Sequence, residues 1–147
     1  MRRERTAADR LRAFRESRKL EPADLAAAMG LSESSYYDLE ACPEDLFTSV
    51  SLKQLQRLSI QLGVPPRALF ADIEARISTV AVEDVVQAIR RHLEANAIDI
   101  GTLEDRVGFT LHDCLTNSTT VLEWNVDCLR FVCDEIGLDW RAALPNP

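Results

Sequence analysis

An all-α protein is predicted by three features of this 147-residue chain. Apolar residues recur at helical spacing from end to end, and no segment sustains the alternation of a half-buried strand. Ser, Pro and Gly stand where helices start and stop. The pattern of the first half then returns in the second half at a nearly constant offset, which predicts two successive five-helix bundles, 1–73 and 74–147. The composition (46% apolar, five Gly, six Pro) excludes a disordered or collagenous chain. No apolar run approaches the ~18 residues of a membrane span. The basic start Met1-Arg2-Arg3-Glu4-Arg5 has no apolar signal core behind it, so a cytoplasmic location without membrane contact is expected.

The elements follow in order. Leu11 and Phe14, with Ala7 and Arg18 in register, predict a first helix near 7–19. Pro22 suits an N1 position, where its missing N–H costs nothing; it opens a short helix to Met29, and Gly30 supplies the turn. Ser32 is an N-cap for a third helix to about Glu40, and residues 41–50 read as a loop. Ser51-Leu-Lys-Gln54 is a capping box opening a fourth helix, with Leu52, Leu55, Leu58 and Leu62 on one face and Gly63 at its end. Pro65-Pro66 begin a short fifth helix through Leu69 and Phe70.

This order, with Asp24-Leu-Ala-Ala-Ala-Met-Gly-Leu-Ser32 at its centre, resembles the Cro/repressor-type (XRE) helix-turn-helix family over about residues 8–71. Leu25 and Ala26 match its core leucine and the small residue at its helix crossing, Gly30 its turn, Leu31-Ser32 the start of its recognition helix and Leu39-Glu40 the end of that helix. Gln61-Leu-Gly-Val-Pro-Pro-Arg-Ala-Leu-Phe70 looks like its closing segment. The resemblance implies a compact five-helix repressor-type bundle. At an offset of 78, Ile89, Leu103, Val107, Gly108, Phe109 and Thr110 fall on Leu11, Leu25, Met29, Gly30, Leu31 and Ser32. At an offset of 74, Val126, Leu129, Val132, Ile136, Gly137, Arg141 and Leu144 fall on Leu52, Leu55, Leu58, Leu62, Gly63, Arg67 and Phe70. A degenerate tandem copy over about 80–145, with a loop shorter by four residues, is therefore expected; its roles would be packing, dimerisation or partner binding.

Charge divides unevenly. Residues 1–73 hold 11 Lys/Arg and 11 Asp/Glu, while 74–147 hold 6 and 13, so the net −7 lies in the second half. Residues 1–19 alone hold eight basic and three acidic side chains. By resemblance, Ser32, Glu33, Ser34, Ser35, Tyr37 and Asp38 form the surface that reads base edges of double-stranded DNA, with Tyr36 and Leu39 toward the core. Arg10, Arg15, Arg18, Lys19 and Lys53 are the candidate contacts to the DNA backbone, beside Arg12 and Arg57, and a homodimer reading two half-sites is implied. The chain departs from the family where it matters most. Glu33 and Asp38 repel phosphate, no Lys or Arg occurs between Lys19 and Lys53, and Pro22 replaces a frequent backbone-contacting glutamine. Tyr37, flanked by serines and acids, reads as an interface hot spot.

Two functions fit these residues. One is a DNA-binding transcriptional regulator of bacterial or phage type. The other is a helix-turn-helix scaffold turned to binding a basic protein partner, as an antitoxin, immunity protein or inhibitor would, without DNA readout. In the second copy, Glu104 replaces the crossing alanine, which predicts looser or rotated packing, and the segment Thr110–Asn117 lacks any Lys or Arg. Trp124 and Trp140 are expected in the core or at a subunit interface, and His92 as a packing residue. His92 and His112 lack the neighbours of a catalytic site, and no phosphate-binding glycine loop occurs, so no enzyme, cofactor or catalytic residue is expected. His112-x-Cys114 offers two metal ligands where a closed zinc site needs four, so no metal is expected. Cys42, Cys114, Cys128 and Cys133 are read as buried reduced thiols.

Overall fold

A computed structural model of the chain describes residues 5–71 and 81–147. Residues 1–4, and the boundary expected at 73/74, lie outside that range. Among the described residues the fold is all-helical, and no helix is long and apolar enough to cross a membrane.

Thr6 and Asp9 form a reciprocal capping box that starts α1 (Ala7–Ser17). The helix stops two residues before the expected end, where Lys19 turns left-handed (φ 55°) and Leu20 N–H returns to the Arg15 carbonyl. Pro22 opens α2 (Pro22–Met29); Gly30, at φ 73°, closes it in a conformation that costs other residues roughly 1–2 kcal/mol. Ser32 caps α3 (Glu33–Ala41) by accepting the Ser35 N–H. The expected loop 41–50 is not wholly a loop. Asp45–Thr48 forms a helical turn, α4, because Leu46 buries completely and holds the backbone against the core. The Ser51/Gln54 box starts α5 (Leu52–Leu62) as anticipated, and its four leucines are at most 1% exposed. Pro66–Leu69 is a 3-10 turn.

The second half runs through α6 (Val82–Asn96), α7 (Ile100–Val107), α8 (His112–Thr116), a 3-10 turn at Ser118–Glu123 and α9 (Val126–Ile136). Helices α2 and α7 are each eight residues long, α5 and α9 each eleven, and all four end in a left-handed glycine. The caps also correspond in place: Asn125 accepts the Cys128 N–H at the start of α9, where Ser51 serves α5.

One contiguous core spans both halves. At its seam Ser51 pairs with Asn125 in an isolated antiparallel bridge. The Leu52 N–H reaches the Trp124 carbonyl at 2.7 Å, and the Asn125 amide donates to the Thr48 carbonyl at 3.1 Å. Ser51 and Asn125 are the N-caps of α5 and α9, so the two helices start side by side. The reciprocal contacts agree, since α4 packs on α9 and α5 packs on the 3-10 turn Ser118–Glu123. Phe47, Phe70 and Trp140 lock the seam edge-to-face with ring centroids 5.0–5.8 Å apart. Arg130 lies over Phe47, and Arg141 donates to the Phe70 carbonyl. Trp140 thus buries between the two halves of one chain, while Trp124 is half-buried against Phe109.

The thiols do not share one environment. Cys114 and Cys133 are buried, and burial pushes their thiols up to about 11 and about 12. Cys128 is half-buried, and Cys42, against expectation, is exposed where α3 ends. At pH 8 iodoacetamide should alkylate Cys42 first and leave Cys133 unmodified until the chain unfolds, because the thiolate is the reactive form. Peptide mass mapping over time checks this; equal rates at the two sites would contradict the burial.

Candidate functional site

The face built by α2 and α3 is directed outward. Glu33, Ser34, Tyr37 and Asp38 are all exposed, Tyr37 at 51%, while Tyr36 (0%) and Leu39 (1%) anchor the helix beneath them. Helical spacing explains the division, since positions 36, 39 and 40 share one side. Ser32 and Ser35 are exposed but occupied: the Ser32 hydroxyl caps the helix and donates to Ser35 Oγ at 2.9 Å. The Tyr37 hydroxyl reaches Glu33 at 3.4 Å. Glu21 and Asp24, at the start of α2, add two further exposed carboxylates.

Of the cations beside this face, Arg15 is half of an ion pair. Its Nε lies 3.0 and 3.1 Å from the two Glu40 oxygens, and its terminal nitrogen lies 2.9 Å from one of them. The bond to Glu40 is the chief cause that raises the Arg15 pKa. Arg12 joins them by donating to the Glu40 carbonyl at 2.8 Å. Arg10 is only 7% exposed. Arg18, Lys19, Lys53 and Arg57 stay exposed; the Arg18 guanidinium lies 5.2 Å from the Phe14 ring centre.

Glu40 is the residue that sequence reasoning passed over. It stood only as the end of the recognition helix, yet its side chain is 6% exposed and holds α1 to α3. A buried acid opposite an arginine on the first helix was the available signal. The Tyr36 hydroxyl is buried nearby without a hydrogen-bond partner, and burial with the Glu40 charge holds its proton well above the usual phenol range.

In the second half the segment corresponding to α3 is short. Helix α8 spans His112–Thr116, and Thr110 does not cap it. Glu104 does that work by accepting the Leu111 N–H at 2.5 Å and the His112 N–H at 3.3 Å, so the acid bends along the surface toward the next helix. The looser crossing expected at Glu104 is seen, since α7 and α8 pack much more sparsely than α2 and α3, and the Leu111 N–H is the main cause that holds the Glu104 carboxyl below its ordinary range. His112 Nδ1 approaches the same oxygen at 3.3 Å. His92 is half-buried, facing Asn96. No group of three potential metal ligands occurs among the described residues.

No protein-family model, curated protein or solved structure matches this chain.

Proposed function

We propose that the chain is a tandem helix-turn-helix scaffold whose α2–α3 face binds a basic surface on a protein partner. One observation carries this reading. Glu21, at the N-cap position of α2, and Asp24, Glu33 and Asp38 on α2 and α3 are exposed, neither helix carries a lysine or arginine, and Arg15 on α1 is paired with Glu40. Such a face repels phosphate and attracts cations. Tyr37 adds an exposed aromatic anchor of the kind that dominates protein interfaces. The matched lengths and caps of α2 with α7 and α5 with α9 support the tandem copy.

DNA-binding transcriptional regulation is the second reading. It is favoured by the exposure of residues 32–35 at the start of α3 and by that of Lys19, Lys53 and Arg57. Fluorescence anisotropy with a mixed-sequence duplex separates the two. At ~50 mM salt no measurable duplex binding is expected, whereas a regulator would bind with several units of slope in log K against log salt. With the chain as bait, Glu33→Lys and Asp38→Lys should each lose whatever basic partner the wild type retains. Salt-dependent duplex binding, unchanged by those two substitutions, would overturn the protein-binding reading.

A further inference from the structure

We infer that the cleft between α3 and α4 is a socket for one arginine side chain of the protein partner; the inference rests on the basic-partner reading above and adds its point of insertion. The cleft holds about 220 Å³, several times the roughly 30 Å³ share of one water. Its apolar lining is Leu31, Leu39 and Val50, of which Leu39 and Val50 are nearly fully buried. Asp38 on α3 and Asp45 on α4 bring a carboxylate from each helix, and Ser49 adds a hydroxyl. Neither aspartate has an ion-pair partner of its own among the described residues, and no basic side chain lines the space.

The second half offers a comparison, taking the offsets as the tandem copy. Under the two offsets Leu31 and Val50 correspond to Phe109 and Trp124, whose rings meet edge-to-face at 5.7 Å. There the chain supplies two flat side chains of its own. Leu31 and Val50 are smaller, and their site stays open. The acids are confined to the open copy as well, since Asp38 and Asp45 correspond to Thr116 and Thr119. A flat cationic group with an apolar stem satisfies all three features. Arginine is that group: its methylenes lie on leucine and valine while its planar fork of donors reaches two separate carboxylates. A lysine ammonium is a compact point charge and lacks the flat surface.

The test uses the full chain and three labelled nine-residue peptides composed of arginine, lysine or citrulline, the last an uncharged analogue of arginine. Binding is followed at ~50 mM salt by anisotropy and by methyl NMR shifts of Leu31, Leu39 and Val50. The arginine peptide should bind, shift those methyls and lose at least tenfold in affinity with Asp45→Asn; the citrulline peptide should not bind. An equal effect on the same methyls by the lysine peptide would overturn the assignment to arginine. Should the arginine peptide bind with the three methyls silent, weakened by Glu33→Lys but not by Asp45→Asn, the socket fails and the basic-partner reading survives. Absence of binding by either cationic peptide would overturn both.

Discussion

Trp140→Ala should lower the unfolding free energy by about 3–5 kcal/mol, the cost usual for emptying a large buried aromatic site. The residue is 8% exposed and touches Phe47 and Phe70, which belong to the other half of the chain. Its removal opens a cavity at the seam and strips both rings of their edge-to-face partner, so relaxation within either half cannot refill the space. The loss should also change the shape of the transition. With the seam weakened, the two halves separate more readily, and the urea m-value should fall as the single cooperative step broadens. Urea titration followed by circular dichroism and by the remaining Trp124 fluorescence measures both. Phe131→Ala is the comparison, since that ring is 47% exposed and its loss should stay within about 0.5 kcal/mol. A Trp140→Ala cost near that of Phe131→Ala would mean that the seam does not hold the halves together.

The all-helical class was legible because helix signals are local. Ser51 and Gln54 lie three residues apart, the leucines of α5 share one face, and Gly30 and Gly63 end helices through backbone geometry that few other residues adopt. Features that join distant residues were not legible in the same way. In 41–50 the run Cys-Pro-Glu-Asp carries turn chemistry that conceals α4, and only burial of Leu46 reveals it. Position 104 looked like a misfit because alignment compares side chains at one place; the carboxylate acts seven and eight residues further on, at Leu111 and His112. Of the candidate site, the outward set Glu33, Ser34, Tyr37 and Asp38 followed from helical period alone. Arg15 did not, because a charge count treats every arginine as free, and its acceptor lies 25 residues away. The meeting of Ser51 with Asn125 was hidden for a further reason: periodicity describes each half and says nothing of how two halves dock.

Glu40→Ala should cost about 2–4 kcal/mol and at the same time change what the α2–α3 face can bind. Breaking a buried ion pair by deleting one partner typically costs about 3–5 kcal/mol, because the remaining charge keeps its desolvation and loses its compensation. Here Glu40 is 6% exposed but Arg15 is 18% exposed, so water recovers part of the loss. Pairing the change with Arg15→Met should restore stability to within about 1 kcal/mol of wild type, since no uncompensated charge then remains. A thermodynamic cycle of the two single variants and the double variant reads the coupling directly. The binding consequence follows from the same geometry. Removing the Glu40 carboxylate leaves Arg15 with only the distant Glu16 oxygen, at 3.9 Å, as an acidic partner, while Arg12 keeps its bond to the backbone carbonyl of residue 40, so the positive charge beside α3 rises. Duplex DNA binding, not measurable for wild type at ~50 mM salt, should then become measurable, with a salt slope of about one to two units, each neutralised phosphate contributing close to one. Arg15→Met in the same background should remove about one unit of that slope. If the single variant gains no duplex affinity while remaining folded, Glu40 is not what keeps the arginines from phosphate, and the acids of α3 suffice on their own.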